Sequence, residues 1–171
     1  RWRLGELVMR WLRHLFSPSA QAAFPEASLD RIAHAIAAGE RLHGVQVMFA
    51  VESDLSLAAL WNGVTPRQRA EHAFALLRTW DTQANNGVLI YLLLADRAIE
   101  IIADRGLREV IEAAQWQRIC DHLREQLRNG DREAAVLAAV AEVSQLLAAH
   151  FPADPTRRAG NELPDRPQLL D

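Results

Sequence analysis

Asn86-Gly87-Val88-Leu89-Ile90-Tyr91-Leu92-Leu93-Leu94-Ala95, followed by Asp96-Arg97 and then Ala98-Ile99-Glu100-Ile101-Ile102-Ala103, is the stretch that decides the fold. The first run is apolar at both even and odd positions, the pattern of a strand covered on both faces. Asp96-Arg97 is short and polar and lies between two β-prone runs, so it predicts a turn joining strands over 88–95 and 98–103 into an antiparallel hairpin. Asp104-Arg105-Gly106 ends the second strand.

Working upstream, Thr65-Pro66-Arg67-Gln68 combines a capping box with proline at the first helical position. It opens a helix in which Ala70, Ala73, Phe74 and Leu77 share a face, expected to end near Trp80. Before it, residues 45–51 alternate Val45, Val47, Phe49 and Val51 with Gln46, Met48 and Ala50, which predicts a central strand. Strand, helix and strand then form a right-handed parallel crossover. Ser28 is the expected N-cap of a helix running to about Leu42, with Leu29, Ile32 and Ile36 on its buried side and Gly44 as the stop. Downstream, Trp116, Ile119, Cys120, Leu123 and Leu127 mark a helix ended by Asn129-Gly130. A last helix is expected from about Asp131 to His150, with Val136, Val140, Val143 and Leu147 inward. The residues by themselves predict an α/β fold with a small mixed sheet.

The two ends differ from this centre. Residues 1–16 place Leu4, Leu7, Val8, Trp11, Leu12 and Leu15 on one face, an amphipathic helix expected to dock through Leu4, Leu7, Trp11 and Leu15 on its own domain or on a second copy. A protein partner's groove and a membrane surface are the alternatives for that stripe. From Pro152 onward four prolines among many charges predict a Pro-rich charged tail over 152–171. The organisation is thus 1–16 helix, 25–151 α/β domain and 152–171 tail.

Composition narrows function mainly by exclusion. All 19 basic residues of this 171-residue, 50% apolar chain are arginine. Schiff-base chemistry, a lysine base and a Walker-type phosphate loop are therefore excluded. Four Arg against one Glu give residues 1–16 a charge of +3, which leaves −6 on the remainder of a chain of net charge −3, so no nucleic-acid face is expected. Cys120 stands alone on an apolar stripe and reads as a packed thiol. The six histidines lack metal-ligand spacing, and His34, His72 and His122 fall within helices. The sequence contains no Gly-x-Ser-x-Gly elbow, no His-Glu-x-x-His pair and no Gly-x-Gly-x-x-Gly loop. No uninterrupted apolar run approaches the roughly 18 residues of a membrane span, and a cytoplasmic location is the expectation, with a removed leader left open.

The hairpin brings the start of one strand beside the end of the other, and so gathers Asp81, Asn85 and Asn86 near Asp104 and Arg105. Carboxylate and amide oxygens on such loops can hold Ca²⁺ or Mg²⁺. The structural alternative is a tight Asn-Gly turn, a cap at Asp81 and a surface ion pair at Asp104-Arg105. Glu52 and Asp54, at the opposite edge of the sheet, are explained by a loop turn.

Trp80-Asp81-Thr82, the block Asn85-Asn86-Gly87-Val88-Leu89-Ile90-Tyr91, Asp96-Arg97 and the run Glu100-Ile101-Ile102-Ala103-Asp104-Arg105-Gly106-Leu107 resemble the TPM domain family of thylakoid-lumen-protein relatives. His150-Phe151-Pro152 and the run Asn161-Glu162-Leu163-Pro164-Asp165-Arg166-Pro167 resemble the tail of a short bacterial subgroup. The resemblance covers roughly residues 25–167. It implies a three-layer α/β/α sandwich, loop-borne divalent-cation sites in some members and an acid phosphatase activity in a plant member. Many members carry Gly-Tyr-Gly where this chain has Ala103-Asp104-Arg105-Gly106. The expectation is a divalent-cation-binding interaction module that holds Ca²⁺ or Mg²⁺ weakly at Asp81, Asn85, Asn86 and Asp104, with Arg105 as an anion contact. The alternatives are a metal-assisted phosphomonoesterase and a peripheral membrane-surface protein anchored by the N-terminal helix.

Overall fold

In the computed structural model, residues 4–156 and 160–171 are described. In chain order they form α1 (Leu4–Leu15), α2 (Ala20–Ala23), α3 (Glu26–Glu40), β1 (Gln46–Glu52), α4 (Leu57–Trp61) and α5 (Pro66–Leu76). After these come β2 (Gly87–Leu93), β3 (Ala98–Ala103), α6 (Arg105–Arg108), α7 (Ala113–Arg128), α8 (Arg132–His150) and β4 (Gln168–Leu169). The sheet order is β3-β2-β1-β4. β2 is parallel to β1 and antiparallel to β3, as the crossover and the hairpin predict.

Every residue of β1 and β2 is buried, which is why neither strand shows a polar face in the sequence. The period of two divides them between two cores. Val47, Phe49, Val51, Val88, Ile90 and Leu92 face α3, α7 and α8, whereas Met48, Ala50, Leu89, Tyr91 and Leu93 face α5 and α4. The result is the sandwich of helices on both sides of a mixed sheet. α8 is long and apolar enough to cross a membrane by length and composition. It packs instead as a core helix, burying Val136, Val140, Val143 and Leu147 in the larger cluster.

Local chemistry explains most boundaries. Thr65 accepts from the Gln68 amide while Gln68 accepts from the Thr65 amide, a reciprocal capping box at α5. Asp131 caps α8 through the Ala134 amide. In the 94–97 loop the Arg97 amide reaches the Leu94 carbonyl at 3.1 Å, and Arg97 itself takes a left-handed φ of 50°.

Several expectations are corrected. Ser28 is not an N-cap: α3 begins at Glu26 after Pro25, and the Ser28 hydroxyl is bonded to Glu133 of α8. The helix ends at Glu40 rather than Leu42, α5 ends at Leu76 rather than near Trp80, and β1 and β2 are each displaced by a residue or two from 45–51 and 88–95. Glu52 belongs to β1 and is buried, so a loop turn does not account for it. The segment after Pro152 folds back along the domain. Gln46 accepts from the Glu162 and Leu163 amides, Leu163 is buried, and β4 pairs in parallel with Ala50 and Val51. Residues 157–159 of that segment, and residues 1–3 of the N-terminal helix, lie outside the described residues.

The largest correction concerns α1, which docks by its polar edge. Arg10 forks onto Asp96 at 2.9–3.3 Å and also reaches the Val64 carbonyl at 2.8 Å. His14 Nδ1 accepts from the Leu55 amide at 2.9 Å, which leaves the ring proton on Nε2, 3.2 Å from Asp96 Oδ1. Leu7 and Trp11 are half-buried, but Leu4, Val8, Leu12 and Leu15 face solvent. A half-buried charged pair at the β2–β3 turn holds the orientation that the apolar stripe was expected to set. Burial pushes Asp96 up, but His14 and Arg10 outweigh it and hold the carboxyl down at about 2.

With a depressed folded pKa, Asp96 contributes stability that is full above its ordinary value of 3.8 and fades as pH falls toward about 2. The expected contribution is on the order of 2 kcal/mol. Asp96→Asn should lower the melting temperature at pH 6 and make the acid limb between pH 4 and 2 shallower than in the parent protein. Parallel limbs in the two proteins would contradict this assignment.

Candidate functional site

The hairpin sets the site's frame. The Asp104 amide donates to the Gly87 carbonyl at 2.9 Å, so the end of β3 lies against the start of β2. Asp104 is 8% exposed. Its Oδ1 accepts from the Arg105 amide at 2.7 Å, capping α6, and its Oδ2 is buried with no protein partner. Asn86 shows the same pattern. Its amide donates to Thr82 Oγ1 at 2.9 Å and its Nδ2 to the Gly44 carbonyl at 2.6 Å, which leaves Oδ1 buried and unpartnered.

Asn85 sits at a left-handed φ of 50°, a region that asparagine tolerates, with its Oδ1 taken by Arg105 Nη2 at 3.1 Å. The Ala84 and Asn85 carbonyls close on Gly106, where an added Cβ would stand 2.8 and 2.5 Å from their oxygens. Only glycine allows that approach. Asp81 is exposed and paired with Arg78 at 2.5 Å. Thus Asn85, Asn86, Asp104 and Arg105 are linked through one loop junction, while Asp81 is engaged by Arg78. The expected Asp104-Arg105 contact is a backbone cap, with the guanidinium turned to Asn85.

An oxygen buried without a donor costs free energy unless something supplies positive charge to it. Asp104 Oδ2 and Asn86 Oδ1, a carboxylate and an amide oxygen, are the donor chemistry that a hard divalent cation prefers. These residues therefore fit such an ion. Among the described residues no cluster of three or more His, Cys, Asp or Glu has metal-ligand geometry. Amide and carbonyl oxygens would have to complete the shell.

Sequence reasoning missed Thr82 and the tail at this end of the sheet. Glu162 Oε2 accepts from the Gln83 amide at 2.8 Å, so the tail braces the same loop. Nearby, burial pushes Glu40 up to about 7 against the opposing Val47 amide, and Asp165 beside it adds to the rise. No spacing rule links residue 162 to residue 83.

A second polar cluster lies at the other end of β1. Arg69 grips Glu52 through both oxygens at 2.7–3.1 Å, and the Tyr91 hydroxyl donates to Glu52 at 2.5 Å. Burial, then the Glu52 carboxylate, raise the Tyr91 phenol far above its ordinary range, which keeps it a donor. A cavity of about 710 Å³ beside β3, α5 and α7 is lined by Arg67, Glu71, Glu100, Trp116 and Cys120 among others. Arg67 there is spent on Glu71 and the Ile101 carbonyl. Burial, then Glu100, push the Cys120 thiol up to about 11, so it is a packed thiol rather than a nucleophile.

A mixed sheet between helices, with a loop rim of amide and carboxylate oxygens at one end, defines a small α/β module. The TPM domain model matches residues 19–146, and the chain belongs to the TPM domain family. No curated protein sequence matches. Its fold is similar to that of the BA42 protein of the psychrophilic bacterium Bizionia argentinensis, with a TM-score of 0.70 and 22% identity over 85% of this chain and 94% of that one. It is also similar to the N-terminal domain of a P. gingivalis protein, with a TM-score of 0.62 and 16% identity over 90% and 98% of the two chains. At these identities the likeness is one of fold.

Proposed function

We propose that this TPM domain is a divalent-cation-binding interaction module whose ion seats between Asp104 and the 84–86 loop. The observation that carries the reading is the pair of buried, unpartnered oxygens, Asp104 Oδ2 and Asn86 Oδ1. A bound Ca²⁺ or Mg²⁺ would supply the positive charge those oxygens lack and tie the loop to the end of β3. Affinity is expected to be weak, because Asp104 brings one formal charge, Asp81 is held by Arg78, and the Arg105 guanidinium lies on Asn85. The family resemblance also raises a metal-assisted phosphomonoesterase. The cavity of about 710 Å³ is not lined by Asp104 or Asn86, and water-excluding closure around a phosphoryl group needs a pocket at the ion.

The test is a Ca²⁺ and Mg²⁺ titration followed by amide shifts, run beside a phosphomonoester assay on the same sample. Shifts confined to residues 81–87 and 104–106, and lost in Asp104→Asn, are expected, with no turnover at an enzyme-like rate. Amides that stay still under either ion would end the cation reading. Hydrolysis by the parent protein that Asp104→Asn abolishes would instead favour the phosphatase.

A further inference from the structure

The strongest surface feature outside that site is α1, because its docking leaves its apolar face uncovered. Arg10 and His14 hold one side of the helix on Asp96 and Leu55, so the helix cannot roll to hide its leucines without breaking a half-buried ion pair and the bond to the Leu55 amide. On the opposite side Leu4 is 83% and Phe16 82% exposed, with Val8, Met9, Leu12 and Leu15 exposed between them. Trp61, 80% exposed at the end of α4, packs edge-on against Trp11 at 6.3 Å and extends the same patch. Neighbouring exposed apolar side chains of this kind mark an interaction surface. The family match begins at residue 19, so α1 lies outside the matched region.

We infer that the solvent-facing side of α1, with Trp61 beside it, seats on an anionic lipid surface. Charge selects this occupant. With Arg10 paired to Asp96, residues 1–16 keep a charge of +2 by sequence, from Arg1, Arg3 and Arg13 against Glu6, on a molecule whose remainder keeps −5. Arg13 is exposed at the margin of the apolar arc, and Arg1 and Arg3 precede the helix in the sequence. A helix with valine, leucine and phenylalanine on its exposed face and Arg13 at the border of that face lies in the plane of the headgroups, apolar side down. Anionic lipid draws in the basic end while the acidic bulk is repelled, which orients the domain with α1 toward the surface. This surface is independent of the cation site.

The experiment is cosedimentation of the whole chain with phosphatidylcholine vesicles, with and without phosphatidylglycerol, beside light scattering of the lipid-free protein. The parent protein should sediment with the anionic vesicles, less so at high salt, and remain a monomer without lipid. Leu12→Glu with Phe16→Glu should lower the bound fraction by roughly tenfold or more, the consequence of withdrawing two apolar side chains from the contact. Both positions face solvent, so the melting temperature should not move. Failure to sediment with anionic vesicles, equal binding to neutral vesicles, or binding unchanged in the double variant would overturn the inference. A lipid-free dimer that the same substitutions split would assign the face to a second copy instead.

Discussion

Gly87→Ala should destabilise this protein by about 3 kcal/mol or more, and the variant is expected to be largely unfolded at temperatures the parent tolerates. An alanine Cβ at this position would stand 1.9 Å from the Thr79 carbonyl oxygen and 2.9 Å from its carbon. Those are backbone atoms, so no rotamer change can make room. Relief requires moving the 77–86 loop off the start of β2, and that loop also carries Asn85 and Asn86. The comparison is Gly44→Ala, where an added Cβ meets nothing within 4 Å. It should stay within about 0.5 kcal/mol of the parent. Urea unfolding of the three proteins measures both effects, and equal midpoints for the two variants would refute the steric argument.

Glu52→Ala is expected to cost about 3–5 kcal/mol, the range for removing one member of a buried ion pair. Its loss leaves the Arg69 guanidinium and the buried Tyr91 hydroxyl without the carboxylate that both bond. The larger share of the cost is the stranded donors rather than the lost attraction. Arg69→Met should therefore recover part of the stability in the Glu52→Ala background, since it removes the unpaired charge while keeping its stem. Thermal melts of the single and double variants decide this. Additive losses would show that the three groups do not act as a unit.

These two positions differ in how far sequence could reach them. Gly87 follows Asn86 at the head of an apolar run, which predicts a turn entering a strand, and the turn and strand are there. The approach of Thr79 is invisible because it depends on where the α5–β2 connection lies over the sheet. Glu52 follows an apolar alternation and reads as the residue after a strand. Its burial is decided by Arg69, seventeen positions later on a helix that packs across the sheet.

The candidate site divides in the same way. The gathering of Asn85, Asn86 and Asp104 was legible, because an antiparallel hairpin of known turn position fixes which residues lie opposite one another. Which oxygens remain unpaired was not. Asn86 donates to Thr82 and Gly44 but no donor reaches its Oδ1, and the Arg105 guanidinium covers Asn85 rather than Asp104.

The sequence by itself determined the hairpin, the parallel crossover, the two-faced burial of β1 and β2, the cap of α5 and membership in a recognisable family. The structural features rest on periodicity or on partners within a few residues, where the chain's own geometry leaves few choices, and the family rests on the resemblance of its motif blocks. Only the tertiary structure decided that the segment after Pro152 returns to pair as β4, that Glu52 is buried against Arg69 and Tyr91, and that α1 turns its leucines outward. An amphipathic stripe says that a face must be covered but not by what. Here the Arg10–Asp96 pair, 86 residues apart in sequence, fixed the helix's rotation before the leucines could.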